Sequence, residues 1–225
     1  MSEIKDETQL MEIAKQLNCP SGEYGILTAQ NMAMHNHNMI SEAILVLGLT
    51  DDQRVLEIGP GGGDHVPKVF KQAKGLKYYG VDISELMVLE SIKANQKMVN
   101  SGQATFTLAN GKTLAFFNEF FDCAFTVNTI YFWNEPKAYA QEIMRVLKPG
   151  GLFTVAFAPK DFMEKLPFTK YTFKLYSLEE ARALFVSAGF AIINSDSHQE
   201  TITSNAGQII DREFIILTLR KPLDE

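Results

Sequence analysis

The sequence predicts an α/β protein built on a doubly wound, mostly parallel sheet of seven strands, with helices on both faces and an N-terminal helical extension. Three observations predict it. Short apolar runs alternate with helical periodicities along most of the chain, the order of consecutive βαβ units. Runs such as 121–127 are apolar throughout, as expected for strands covered on both faces. A β-branched and aliphatic run (Val55, Leu56, Ile58) leads into a glycine cluster in RVLEIGPGGGD, residues 54–64, where such folds bind ligands at the C-terminal ends of their strands. With 225 residues and 46% hydrophobic content, the chain can bury one substantial core.

The elements follow in order. Leu10, Ile13, Ala14 and Leu17 recur at helical spacing and predict a helix that stops before Asn18, Cys19 and Pro20. Residues 20–25 (PSGEYG) read as a turn, with a flap over a ligand as the alternative. A polar, Met-rich segment over 30–39 precedes a helix carrying Ile40, Ala43, Ile44 and Leu47. Residues 1–50 are thus expected to form a helical extension that caps the site, and residues 51–225 the main domain.

After the glycine cluster, Val66, Val69, Phe70 and Ala73 predict a helix with Asp64 as its N-cap and Pro67 in its first turn. Residues 76–81 read as a strand ended by Asp82, and Ser84 caps a helix carrying Val88, Leu89, Ile92 and Val99 up to Gly102. Strands follow at 104–108 and 121–127, with a turn at Asn110 and Gly111 between them. Tyr139, Ile143, Val146 and Leu147 form the core stripe of a helix opened by Pro136 and stopped by residues 148–151, before a strand at 152–157. Residues 158–176 lack a clean period but hold Phe162, Met163, Phe168, Tyr171, Phe173 and Tyr176, which suggests a lid-like insertion. Ser177 and Glu180 form a capping box for a helix ending at Gly189. Two last strands are expected at 190–194 and 213–219, joined by a polar stretch too long for a tight turn.

Composition narrows the partners. A net charge of −6 argues against unaided binding to nucleic acid, which needs clustered cations against phosphates, and favours a small or uncharged ligand. Two distant cysteines fit a reducing cytoplasm, and Cys123 sits in an apolar run where it packs. No run of 18 apolar residues and no apolar N-terminal leader core occur, so a soluble, cytoplasmic protein without an integral membrane segment is expected. His35 and His37 are two apart and diverge on a helix, so no metal site is expected. The oligomeric state is left open.

A dinucleotide loop needs a third glycine five residues after Gly59, where Asp64 stands instead. What is present is Glu57, Ile58, then Gly59-Pro60-Gly61-Gly62-Gly63, with Asp82 ending the next strand and RVLKPGG at 145–151 before the fifth. In these residues the chain resembles the class I S-adenosylmethionine-dependent methyltransferases, specifically a small-molecule branch similar to the quinone-biosynthesis enzymes. The resemblance implies a Rossmann-like fold and S-adenosylmethionine as cofactor, with S-adenosylhomocysteine as product. It implies that Gly59, Pro60, Gly61 and Gly63 let the backbone approach the cofactor and that Glu57 faces its ammonium group. Asp82 would accept from both ribose hydroxyls, and Ile83 would pack on adenine. Asn110, beside Gly111, stands where the family carries an Asp that receives the adenine amino group; turn chemistry is the equal alternative.

Asn128 and Tyr131, after the fourth strand, fall near the family's acceptor position, and Asn128, like Gly111, is counted with the cofactor-binding residues that the resemblance implies. Thr129 and Ile130 replace the two prolines of the amino-methylating nucleic-acid enzymes, which argues against a base-methylating enzyme. Tyr24, Tyr131, Phe162 and Phe168 are candidates for an acceptor pocket. Tyr131, His35 and His37 are the candidate general bases, although methyl transfer by in-line displacement needs none when the acceptor is nucleophilic. His65 reads as a first-turn surface residue. The leading expectation is a methyltransferase acting on a small molecule; the alternatives are a catalytically silent cofactor- or partner-binding protein of the same fold, and an NAD(P)-dependent oxidoreductase.

Overall fold

The computed structural model describes residues 6–203 and 209–223. Its strands are β1 Arg54–Ile58, β2 Lys77–Asp82, β3 Ala104–Leu108, β4 Phe121–Val127, β5 Leu147–Phe157, β6 Ala191–Thr203 and β7 Ile209–Arg220. They form one seven-stranded sheet in the order β3-β2-β1-β4-β5-β7-β6. The first five strands run parallel, and β7 runs antiparallel to both β5 and β6. The order reverses between β1 and β4, and that switch point opens a crevice at the strands' C-terminal ends.

The helices are α1 Glu7–Asn18, α2 Gly22–His35, α3 His37–Leu45, α4 Val66–Val69, α5 Glu85–Ala94, α6 Gln96–Asn100, α7 Pro136–Val146, α8 Lys160–Met163 and α9 Leu178–Ala188. The period-2 alternation of each strand builds a separate core on each face of the sheet. Leu56, Ile58, Phe153, Val155 and Phe157 point to the face covered by α7 and α9. Val55, Tyr78, Phe125 and Ala156 point to the face covered by α3 and α4. Among the described residues no helix is long and apolar enough to cross a membrane.

Several expectations are corrected. Residues 20–25 are not a loop, because α2 begins at Gly22; Gly25 is there for packing, since a Cβ on it would sit 2.8 Å from Leu86 Cδ2. The Met-rich segment 30–39 is helical, broken only at Asn36, with Met32, Ala33 and Asn36 facing a cavity. The helix after the glycine cluster is a single turn whose N-cap position is His65 rather than Asp64. The long helix expected up to Gly102 breaks at Asn95, whose side chain donates to Gly63 O at 2.9 Å and Ser91 O at 3.0 Å. Strand β5 starts at Leu147, running through the Lys-Pro-Gly-Gly segment by way of an irregularity opposite β4. The last two strands form a long antiparallel ladder from Ala191 paired with Arg220 to Thr203 paired with Ile209. Their polar outer halves hide them from an apolar-pattern reading. Part of the connection expected between them, residues 204–208, lies outside the described residues, as do residues 1–5 of the extension.

Candidate functional site

The glycine cluster leaves β1 as a tight turn in which Gly59, Gly61 and Gly63 have φ of 72°, 57° and 72°. Side chains rarely adopt these angles, and two of the glycines also meet neighbours. A Cβ on Gly59 would collide with Thr129 Cγ2, and one on Gly63 would lie 2.9 Å from Asn95 Nδ2. Replacing Gly59 with Val is therefore expected to destabilise the fold by about 2–4 kcal/mol, combining backbone strain with overpacking. Denaturant unfolding would measure it; a loss within error of zero contradicts the reading. The turn is held from outside its own sequence: Gly59 N donates to Val81 O at 2.8 Å, and Ser91 Oγ donates to Gly61 O at 2.6 Å.

Two acids flank the turn. Glu57, 1% exposed, accepts on Oε2 from Tyr78 OH at 2.5 Å and pairs there with His65 Nε2 at 2.7 Å. Among the described residues neither bond falls on Oε1. Burial and the neighbouring Glu57 push the Tyr78 phenol well up, so it keeps its proton and donates. His65 is not a surface residue: it is buried, edge-on to Phe125. Asp82, 8% exposed, accepts from Gly61 N on Oδ2 at 3.2 Å and from Ser84 N on Oδ1 at 2.9 Å. Its burial pushes the carboxyl up to about 6, against the opposing pull of those backbone N–H groups.

These groups meet in a cavity of about 400 Å³. One wall consists of Glu57, residues 58–65, Asp82, Ile83, Asn110 and Gly111. The facing wall comes from the ends of the N-terminal helices (Leu17, Asn18, Met32, Ala33, Asn36, Ile40) and from the segment after β4 (Asn128, Thr129, Phe132, Trp133). Glu57, Asp64 and Asp82 are its acids, and neither Lys nor Arg is among its lining residues. Such a set of acceptors suits a ligand carrying positive charge and hydroxyl donors.

The structure brings together Glu57, Gly59, Pro60, Gly61, Gly63, Asp82, Ile83, Asn110, Gly111 and Asn128 around this cavity. Asn110 lines it, but its Oδ1 already accepts from Lys112 N and Thr113 N, both at 2.8 Å, so both acceptor positions of the carbonyl serve the turn. The expected contact from Asn110 Oδ1 to an adenine amino group is corrected on that ground.

The acceptor-side candidates fare differently. Tyr24 is 78% exposed and does not line the cavity. Phe162 and Phe168 are not lining residues either; Phe168 packs at a tilt on Phe173, whose ring centroid is 4.6 Å from that of the lining Phe132. The insertion thus lies one layer behind the wall, and Thr172 Oγ1 ties it to Ala14 O of α1. Tyr131 is buried, with its OH accepting from Ala158 N at 2.7 Å, and burial raises its pKa, which removes it as a base. His35 Nδ1 contacts Asn31 O, and His37 faces Lys68; neither lines the cavity. Among the described residues no cluster of His, Cys, Asp or Glu is arranged to hold a metal.

Comparison with known proteins agrees with this architecture. The model of a methyltransferase domain family matches residues 56–155. The chain is 29% identical over 131 residues to the uncharacterized methyltransferase YdaC of Bacillus subtilis, covering 58% of this chain and 70% of that protein. It is 24% identical over 127 residues to the O-methyltransferase resE of Aspergillus sclerotiorum, covering 56% of this chain and 48% of that protein, so it spans about half the length of that relative. Among solved structures, a chain from the complex of the Haloferax volcanii Trm112 methyltransferase activator with a methyltransferase superposes with a TM-score of 0.74 at 17% identity, covering 88% of this chain and 94% of that one.

Proposed function

We propose that the chain is a class I S-adenosylmethionine-dependent methyltransferase that methylates a small molecule held between the glycine turn and the N-terminal helices. The family's cofactor fits the acids and the glycine turn that line this cavity. Glu57, with Oε1 left out of its internal hydrogen bonds, would face the ammonium group; Asp82 would take the ribose hydroxyls; Ile83 and Gly111 would border the adenine; and the backbone of residues 59–63 would lie against the chain between them. When bound, S-adenosylmethionine supplies a methyl group on a sulfonium, open to in-line attack by a nucleophile.

The protein's own contribution is then positional. The facing wall holds the acceptor on the methyl axis and keeps water out, which is where an enzyme gains in this chemistry. No side-chain base is required, and Tyr131, His35 and His37 do not serve as one. Residues 1–50 act as the cap and residues 51–225 as the catalytic domain, with residues 158–176 a lid-like element that acts by bracing α1 and Phe132 rather than by touching the ligand.

The observation that carries a small acceptor is the cavity of about 400 Å³ bordered by α1, α2 and α3. The acidic lining and the net charge of −6 support it against a nucleic acid. The test supplies the protein with methyl-labelled S-adenosylmethionine and either a panel of small phenols and amines or total RNA and protein. Label is expected in the small-molecule fraction; label confined to macromolecules overturns the proposal.

A further inference from the structure

We propose that Asn36 is a specificity residue that presents an amide N–H donor to the acceptor, and that the acceptor is an uncharged molecule recognised through a hydroxyl or carbonyl oxygen. The inference rests on the methyltransferase reading above and deepens its acceptor side.

The orientation of the Asn36 amide is set by a residue outside the cavity. Arg212 on β7 is 6% exposed, and its guanidinium is held by Glu200 of β6, with Nε 2.8 Å from Oε1, and by His35 O, 2.6 Å from Nη2. Its remaining arm, Nη1, reaches Asn36 Oδ1 at 3.0 Å. A guanidinium has donors only, so the Asn36 atom facing it must be the oxygen. That oxygen also accepts from Asn128 Nδ2 at 3.1 Å, which fills both of its acceptor positions. The Asn36 NH₂ group is left over, no acceptor among the described residues takes it, and Asn36 lines the cavity.

The same logic propagates to the next amide. With Nδ2 turned to Asn36, Asn128 presents Oδ1 to the Tyr131 hydroxyl at 3.2 Å, a proton it shares with Ala158 O at 2.9 Å. The Tyr131 hydroxyl is fixed in turn by Ala158 N at 2.7 Å. One cation on β7 therefore sets the orientation of both the Asn36 and the Asn128 amides.

This polarity selects a ligand class. A free N–H donor in a largely apolar wall is satisfied by an oxygen acceptor and rejects a group that cannot accept. A protonated amine brings donors to a donor. An anion meets Glu57, Asp64 and Asp82 with no Lys or Arg among the lining residues to offset them. A neutral hydroxyl or carbonyl compound avoids both conflicts.

The test uses calorimetry on the full chain loaded with S-adenosylhomocysteine. The neutral probes are catechol and naphthol; their anionic counterparts are protocatechuate and naphthoate. The neutral probes are expected to bind at least about tenfold tighter than the anions. Asn36→Asp keeps the side chain's size and gives Arg212 a carboxylate, so the clamp persists while the N–H donor is gone. It is expected to lose at least about tenfold in neutral-probe affinity, with S-adenosylhomocysteine affinity unchanged within about twofold. Arg212→Gln, which can accept as well as donate, releases the Asn36 amide to flip and should weaken the probes alone; Arg212→Lys, donors only, should restore them. Equal binding of the anions, unchanged probe binding in Asn36→Asp, or no binding of either neutral probe overturns the inference. Failure of the wild-type chain to bind S-adenosylhomocysteine would instead overturn the methyltransferase reading on which it rests.

Discussion

Replacing Asp82 with Ala is expected to weaken S-adenosylhomocysteine binding by roughly 100-fold or more, because two hydrogen bonds to one charged group are lost at about 1.5–3 kcal/mol each. Fold damage should be small by comparison. Gly61 N loses an acceptor beside the open cavity, where water can replace it, so the cost falls on the buried Ser84 N alone. The same carboxyl predicts a pH dependence. Folding raises it from its ordinary value of 3.8 to about 6, through burial first. In the ligand-free protein this group's contribution to stability is therefore fully present below about 3.8 and is lost as the pH rises through about 6. Ligand affinity runs the opposite way, since the ionised carboxylate is the better acceptor for two hydroxyls. Titrations from pH 5 to pH 8 should show affinity falling below about 6, and Asp82→Asn should remove that part of the fall.

Replacing Glu57 with Gln is expected to cost roughly 10–100-fold in the same affinity, the worth of one charge-assisted contact to the ligand's ammonium group. Gln is the informative substitution because its carbonyl oxygen can still accept from Tyr78 and His65, whereas Ala would strand two buried donors. The melting temperature should move little in Glu57→Gln and fall clearly in Glu57→Ala. Equal affinity of wild type and Glu57→Gln would remove Glu57 from the binding site.

The distribution of legible and hidden features follows from sequence distance. Glu57, the glycines and Asp82 are visible because strand ends and tight turns impose residue types over a few consecutive positions. The residues that hold them in place come from elsewhere in the chain. Tyr78 lies 21 positions from Glu57, and Asn95 lies 32 positions from Gly63. Arg212 lies 176 positions from Asn36. Each is an ordinary polar residue in its own neighbourhood, and no local pattern marks it. His65 shows the same limit over eight positions: the sequence places it after a glycine turn, and only the folded turn aims it back at Glu57.

The acceptor side was the least legible for a related reason. Aromatic residues such as Tyr24 and Phe168 look like pocket walls in a sequence, yet one faces solvent and the other packs behind Phe132. The wall is made instead by the broken α2–α3 helix, through Met32, Ala33, Asn36 and Ile40, residues that mark no pocket in a sequence. The β6–β7 ladder escapes notice because its outer half alternates polar residues on an edge, where burial does not write an apolar pattern.

Trp133 is the chain's single tryptophan and lines the cavity, so its fluorescence reports occupancy without a label. Titrating S-adenosylhomocysteine into the wild-type protein should give a saturable, single-site change in that emission. Asp82→Ala and Glu57→Gln should require far higher ligand concentrations for the same change. Identical titration curves for the wild type and both variants would contradict the assignment of this cavity as the cofactor site.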